Sequence, residues 1–304
     1  MISKDIALGF FFLFQTGFGA LGNSFLLGFY AITFFTGPRL KPIDLLLIHL
    51  AFVNDLVLLS KGIPHTMSTL GLTNFLDNAG CKLVFYFHRV ARDLSLCITC
   101  LLSGFQAMTL SPRNSCWAKL KARDSKCIVS LFLLCWVFHL LKNVPVLLMM
   151  KGSMRNKNIT KEQDYIYCTV AFPPLLRNAI NMLIITLPDV FCVGVMMGTS
   201  GYLVFVLYRH QKRVQYIHGN NLTPSASPET RATQTVLLLV ILFVSFYSLN
   251  SILVLCIQYR QSSWLVHISA FLAACFPASS SFVLIVSDSR VNKNFLVLWE
   301  KMMT

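Results

Sequence analysis

Apolar runs of about 20 residues or more recur along nearly the whole chain, and each is long enough to cross a bilayer core as an α-helix. The 304 residues are 55% hydrophobic and 12% charged, where soluble domains carry about a quarter charged. The runs predict helices at 6–35, 43–63, 82–110, 127–150, 176–208, 233–258 and 264–287. The loops between them are too short to fold alone, so the expected architecture is an all-α membrane bundle of seven helices in one domain. The first run is too long for a cleaved leader and lacks a small-residue cleavage site after a short apolar stretch, so it is expected to stay in the bundle.

Lys and Arg set the orientation, because cytoplasmic loops accumulate them. With the N-terminus outside and the C-terminus inside, fourteen fall in the inner segments 39–41, 113–126, 209–213, 231 and 290–301, against seven in the outer segments. The formal charge of +14 is then chemistry of the anionic inner leaflet. Membrane lipids account for it, and a nucleic-acid partner is not required. Residues 290–303 place Phe295, Leu296, Leu298, Trp299 and Met302 among Arg290, Lys293, Glu300 and Lys301, the pattern of a short helix on the inner interface.

Of ten cysteines, Cys97, Cys100, Cys135, Cys192, Cys256 and Cys275 fall inside helices, and Cys116 and Cys127 face the reducing side. Cys81 opens the third helix and Cys168 lies in the long outer loop 151–175. An oxidising exterior favours their pairing as a disulfide. Asn158-Ile159-Thr160 is a glycosylation sequon in the same loop, whereas the sequon at Asn221 falls in the polar, turn-rich inner loop 209–232.

Charge inside a bilayer costs about 2.5 kcal/mol or more, so each charged residue within a span invites a functional reading. The third helix holds more of them than any other span. His88 and Arg92 share a face at i, i+4, as do Arg89 and Asp93, so one Arg can be neutralised within its own helix. Arg92 is about 16 Å deep and Asp189 of the fifth helix about 20 Å deep, and the two can pair if their helices adjoin. Two readings stay open: a structural pin between helices, or a basic pocket for a ligand with an anionic or strongly accepting group, formed by His88, Arg89 and Arg92 with Asp93 and Asp189. Lys142 is read as extending toward the outer interface, with no role in the site. Asn23, Asn54 and Asp55 share a depth, which predicts a polar contact between the first two helices. Pro145, Pro188 and Pro277 lie inside spans, where each removes a backbone donor and kinks its helix.

Gly22-Asn23, the segment HLAFVND at 49–55, Cys81, Trp136, Pro188 and Pro277 together resemble the heptahelical G protein-coupled receptors. Two rhodopsin-type signatures are altered: Phe105-Gln106-Ala107 stands where an Asp-Arg-Tyr triplet is usual, and Phe276-Pro277-Ala278-Ser279-Ser280 where Asn-Pro-x-x-Tyr is. The stretches KGIPHTM (61–67), FHRVARDLSLCITCLLSGFQAMTLSPRNSCWAKLK (87–121), FVSFYSLNSI (243–252) and CFPASSSFVLIVSD (275–288) are similar to vomeronasal type-1 receptors, with Asp55 and Asp93 standing where apolar or small residues are more usual. The resemblance covers nearly the whole chain. It implies a plasma-membrane chemosensory receptor that binds small pheromone-like molecules in the outer half of the bundle and activates an inhibitory-class heterotrimeric G protein. Contact with that partner would involve Gln106 and the bases Arg113, Lys119, Lys121, Arg209, Lys212 and Arg213. No cofactor is implied.

The rival readings are a bitter-taste-type receptor, which the SPRNS and FPASSS stretches disfavour, and a small transporter, which would show internal repeats. An enzyme would need clustered acids or metal ligands, whereas His65, His88, His139 and His267 are scattered over different helices.

Overall fold

The structure, a computed structural model, describes residues 2–36, 42–72, 75–110, 125–152, 162–165, 168–171, 175–218, 228–259, 263–288 and 291. Its elements in chain order are α1 (Ile2–Thr36), α2 (Pro42–Thr69), α3 (Asn78–Leu110), α4 (Ser125–Lys142), α5 (Val144–Met149), β1 (Met150–Gly152), β2 (Glu162–Tyr165), β3 (Cys168–Ala171), α6 (Leu175–His218), α7 (Pro228–Tyr259) and α8 (Ser263–Ser287). Seven helical stretches are long and apolar enough to cross a bilayer, the fourth of them running through α4 and α5. Large apolar side chains such as Phe14, Leu133 and Phe191 face outward, as lipid contact requires.

The most polar of the spanning helices lies at the centre. α3 packs against α2, α4, α5, α6, α7 and β1, and Val90, Ala91, Leu94, Ile98 and Leu102 along it are fully buried. Its charged and hydroxyl residues therefore point into protein rather than lipid, the arrangement that makes intramembrane charge tolerable.

α8 approaches α1 closely because α1 offers glycine at the crossing. A Cβ on Gly22 would stand 2.5 Å from Ser281 Oγ, and one on Gly19 2.8 Å from Ala278 Cβ. Small residues let helix backbones meet in lipid, where association rests on van der Waals packing and interhelical hydrogen bonds. This approach overturns the expected contact between Asn23 and the Asn54–Asp55 pair. Asn23 Nδ2 donates to the carbonyls of Gly19 and Pro277, each at 2.9 Å. Asn54 Nδ2 donates to Ser280 Oγ at 2.9 Å, and its Oδ1 accepts from Ser95 Oγ at 2.8 Å. Asp55 accepts from Ser24 Oγ at 3.0 Å. α8 packs against both α1 and α2, so its Pro277 and Ser280 intercept the amides before they reach each other.

The fourth span breaks at Asn143, whose φ of −92° and ψ of 0° end α4 just before Pro145 enters α5. Proline removes a donor and restricts the residue ahead of it. The Asn143 backbone N–H and its side-chain Nδ2 both donate to the His139 carbonyl, at 3.3 and 2.9 Å. Beyond α5, β1 joins the antiparallel sheet β1-β3-β2, with Gly152 and Tyr165 both opposite Cys168. Cys168 is bonded to Cys81 at the start of α3, with Cα atoms 6.0 Å apart, so the disulfide fastens the sheet to the central helix.

Helix ends depart from the hydropathy boundaries. α2 runs through Pro64 to Thr69, six residues beyond the apolar stretch (63 to 69), and Thr69 Oγ1 donates back to the His65 carbonyl at 3.0 Å. α6 continues past residue 208 to His218, because Arg209, Gln211, Lys212 and Arg213 favour helix as readily as they favour water. The 290–303 helix lies, apart from Val291, outside the described residues.

Candidate functional site

Three helices converge on one buried ionic cluster. Lys142 Nζ, at the end of α4, donates to Asp189 Oδ1 of α6 at 2.8 Å and stands 3.1 Å from Asp93 Oδ2 of α3. The Lys142 and Asp93 side chains are each only 1% exposed. Asn143 Nδ2 adds a bond to Asp93 Oδ2 at 3.0 Å, and the Tyr247 hydroxyl of α7 donates to Asp189 Oδ2 at 2.6 Å. The α-helical break after Lys142 turns Asn143 toward the same carboxylate.

Two expectations are corrected by this cluster. Lys142 does not extend to the interface: without it two buried carboxylates would share only the more distant Arg92, and a buried charge left underpaired costs more than the snorkelled ammonium would gain. Asp93 is likewise held by Lys142 and Asn143, and no ion pair joins it to Arg89 among the described residues. The Nε of Arg89 is buried with no hydrogen-bond partner there.

Arg92 does approach Asp189, but at 3.9 Å. Both carboxylate oxygens already accept stronger bonds. Its guanidinium instead lies 4.7 Å from the centroid of the Tyr247 ring, a cation–π arrangement, and keeps 23% of the side chain exposed.

That exposure opens into a cavity of about 430 Å³ whose walls include Val57, His88, Arg92, Phe243, Tyr247 and Asn250. Its mix of apolar wall and few polar groups is the one usual for small-molecule sites. Phe243 stacks with Tyr247 at 5.5 Å and meets Phe276 edge-on at 4.7 Å, forming an aromatic floor. Ser269 Oγ fixes Asn250 by donating to Oδ1 at 2.8 Å. A smaller chamber of about 280 Å³ adjoins it between α1, α2 and α8, sharing Val57, His88 and Ala273. Of the five residues expected to meet ligand, His88 and Arg92 line the cavity. Asp93 and Asp189 stand beneath it as the cluster's acids, and Arg89 is absent from both walls.

Tyr247, Asn250 and Lys61 were not singled out by sequence. Tyr247 and Asn250 at i, i+3 in an otherwise apolar stretch are the signal that was there to read. Lys61 stands two residues before the end of the predicted span 43–63, whereas the continuation of α2 to Thr69 leaves it eight residues inside the helix.

At the opposite end of α3, Gln106 is buried and its Nε2 donates to Thr233 Oγ1 of α7 at 2.9 Å. Arg209 is exposed on the extension of α6, and Lys212 lies 5.0 Å from the Tyr208 ring centroid. Arg213 falls in the same helix. Arg113, Lys119, Lys121, Asn158 and Asn221 lie outside the described residues.

A seven-helix bundle with a capped mouth, a disulfide from the third span to the adjoining loop and a cavity among the third, sixth and seventh spans defines the class of rhodopsin-fold receptors. Squid rhodopsin superposes on the whole chain and on 87% of its own, with a TM-score of 0.77 at 16% identity. The family model described as the vomeronasal organ pheromone receptor family matches residues 6–297, and the chain belongs to that family. It is 44% identical to vomeronasal type-1 receptor 1 of Gorilla gorilla gorilla, over 96% of this chain and 83% of the relative. It is 43% identical to human vomeronasal type-1 receptor 3, over 96% and 94%. An olfactory receptor class A-like protein 1 of Danio rerio is 32% identical over 93% and 90%. The chain is thus a chemosensory G protein-coupled receptor, a multi-pass protein of the plasma membrane and not an enzyme.

Proposed function

We propose that this receptor binds small organic, pheromone-like molecules in the cavity among α2, α3, α7 and α8, favours those with an anionic or strongly accepting group, and activates an inhibitory-class heterotrimeric G protein. One observation carries the ligand preference: Arg92 lines an otherwise largely apolar cavity, while its nearest carboxylate, Asp189, already accepts from Lys142 and Tyr247. An acidic ligand group gives Arg92 the close partner it lacks, and His88 stands beside it on the same face. Arg89 adds positive field from outside the wall. The disulfide-capped end faces outward and carries the Asn158 glycan. The inner end meets the G protein through the bases Arg113, Lys119, Lys121, Arg209, Lys212 and Arg213, with Gln106 beneath them. A ligand acts by preferring one state of an existing equilibrium, so only its differential affinity drives signalling.

The test is a cyclic-AMP reporter in cells expressing the receptor, challenged with matched pairs such as a steroid and its sulfate. The sulfate should act at a concentration at least tenfold lower, lose that advantage in Arg92→Gln at normal surface expression, and lose its effect after pertussis-toxin treatment. Responses identical to the parent in both Arg89→Gln and Arg92→Gln would remove the anionic preference. A response insensitive to the toxin would remove the G-protein assignment.

A further inference from the structure

The smaller chamber is lined by Phe12, Thr16, Lys61, His65, His88 and Ala274, among others. It is the smaller of the two chambers and suits a compact head group rather than a complete molecule. We propose that it is a second compartment of the ligand cavity, in which Lys61 receives an anionic group, a carboxylate or sulfate, of a molecule whose apolar body occupies the aromatic chamber. This rests on reading the larger chamber as the ligand cavity.

Charge placement gives the argument. Lys61 makes no ion pair among the described residues, yet it lies near enough to Arg89 and Arg92 for their charges to repel its own. Among the described residues, the buried acids of the neighbouring helices are committed elsewhere. Asp93 and Asp189 are held by Lys142, and Asp55, six residues back along α2 and turned to another face, accepts from Ser24 of α1. An ammonium in a low-dielectric site without a counterion is costly, so the chamber is built to accept a negative charge.

The rest of the wall is suited to a flat or branched acid. The His65 and Phe12 rings meet edge-on at 4.4 Å, and His65 Nε2 lies 3.1 Å from His267 Nδ1, which holds the imidazole of His65 in place between α2 and α8. His88 stands in the partition, touching both chambers, with its Nδ1 buried and unbonded among the described residues. A molecule extending from one chamber to the other passes that nitrogen.

The experiment places single cysteines in the two chambers of the full receptor in cell membranes. Ala274→Cys reports the smaller chamber and Leu272→Cys the larger. Each is reacted with the anionic sulfonatoethyl and the cationic trimethylammonioethyl methanethiosulfonates, against the unsubstituted receptor as background. Rates are normalised to those of the same reagents with free mercaptoethanol. At Ala274→Cys the anionic reagent should be favoured at least tenfold, the preference should fall about tenfold on adding Lys61→Gln, and Lys61→Arg should keep it. Ala270→Cys, in the same wall, replaces Ala274→Cys if the latter does not reach the surface. A preference indifferent to Lys61→Gln overturns the proposal. So does a smaller chamber that stays unreactive while Leu272→Cys reacts, which leaves the larger cavity's assignment intact. If neither position reacts, the ligand-cavity reading falls with it.

Discussion

Lys142 and Asp189 meet at 2.8 Å across the fourth and fifth spans, and the same ammonium serves Asp93 on the third. One ammonium thus bridges two carboxylates from two different helices, and Arg92, 3.9 Å from Asp189, supplies a second positive charge. Replacing Lys142 by Met should leave two facing acids in low dielectric and cost roughly 3–5 kcal/mol, read as loss of surface expression and of thermal stability in detergent. Adding Asp189→Leu to Lys142→Met should recover part of both. A stable, well-expressed Lys142→Met receptor would contradict the pairing.

Cys81→Ser and Cys168→Ser should each destabilise the receptor by about 2–4 kcal/mol. Because the bond fastens the sheet to α3, whose His88 and Arg92 line the cavity, ligand response should fall together with surface expression. Full expression and response in both variants would deny the bridge this role.

Gly22→Ala places a methyl 2.5 Å from Ser281 Oγ. Forced separation of α1 and α8 should cost about 1–3 kcal/mol, measured as a lower melting temperature. Pairing it with Ser281→Gly should restore the parent value, whereas Ser281→Gly alone should have a small effect. An unchanged melting temperature in Gly22→Ala would show that the crossing has slack.

The Gln106–Thr233 bond ties α3 to α7 at the end away from the cavity. A hydrogen bond contributes about 0.5–1.5 kcal/mol net, so Thr233→Val should shift the balance between closed and open inner ends by roughly two- to tenfold. Ligand-independent signalling should rise accordingly at equal surface density. Basal signalling that stays flat or falls would mean that the bond does not restrain opening.

Endoglycosidase treatment should shift the parent receptor and leave Asn158→Gln unshifted, with Asn221→Gln behaving as the parent. The reverse pattern would invert the orientation.

Hydropathy alone made the seven spans legible, because a run of apolar residues reports its own length whatever it packs against. The charges of the third helix were equally plain, since Arg89, Arg92 and Asp93 have no business in lipid. Their partners were not. Lys142 sits in a helix apolar on nearly every side, so no stripe reveals which way its side chain turns, and a snorkelling reading and a buried reading fit the same letters. The amide of Asn23 was legible as a helix-to-helix bond, yet its partner depended on which neighbour the glycines of α1 admitted. Lys61 lay inside the predicted span but only two residues from its end at 63, where a Lys reads as an interface residue; the helix continues through Pro64 to Thr69 and sets it deeper.

The break at Asn143 joins two things that lie far apart in role. Its side chain grips Asp93 in the cluster, and seven residues later β1 enters the sheet that the Cys81–Cys168 bond moors (143 to 150). The segment between them is held at its outer end by the pairing of β1 with the disulfide-bonded β3 and at its inner end by a buried carboxamide. The outer sheet and the charged centre are thus coupled through one short helix, α5, and a displacement of the sheet has a direct covalent route to the residue that holds Asp93.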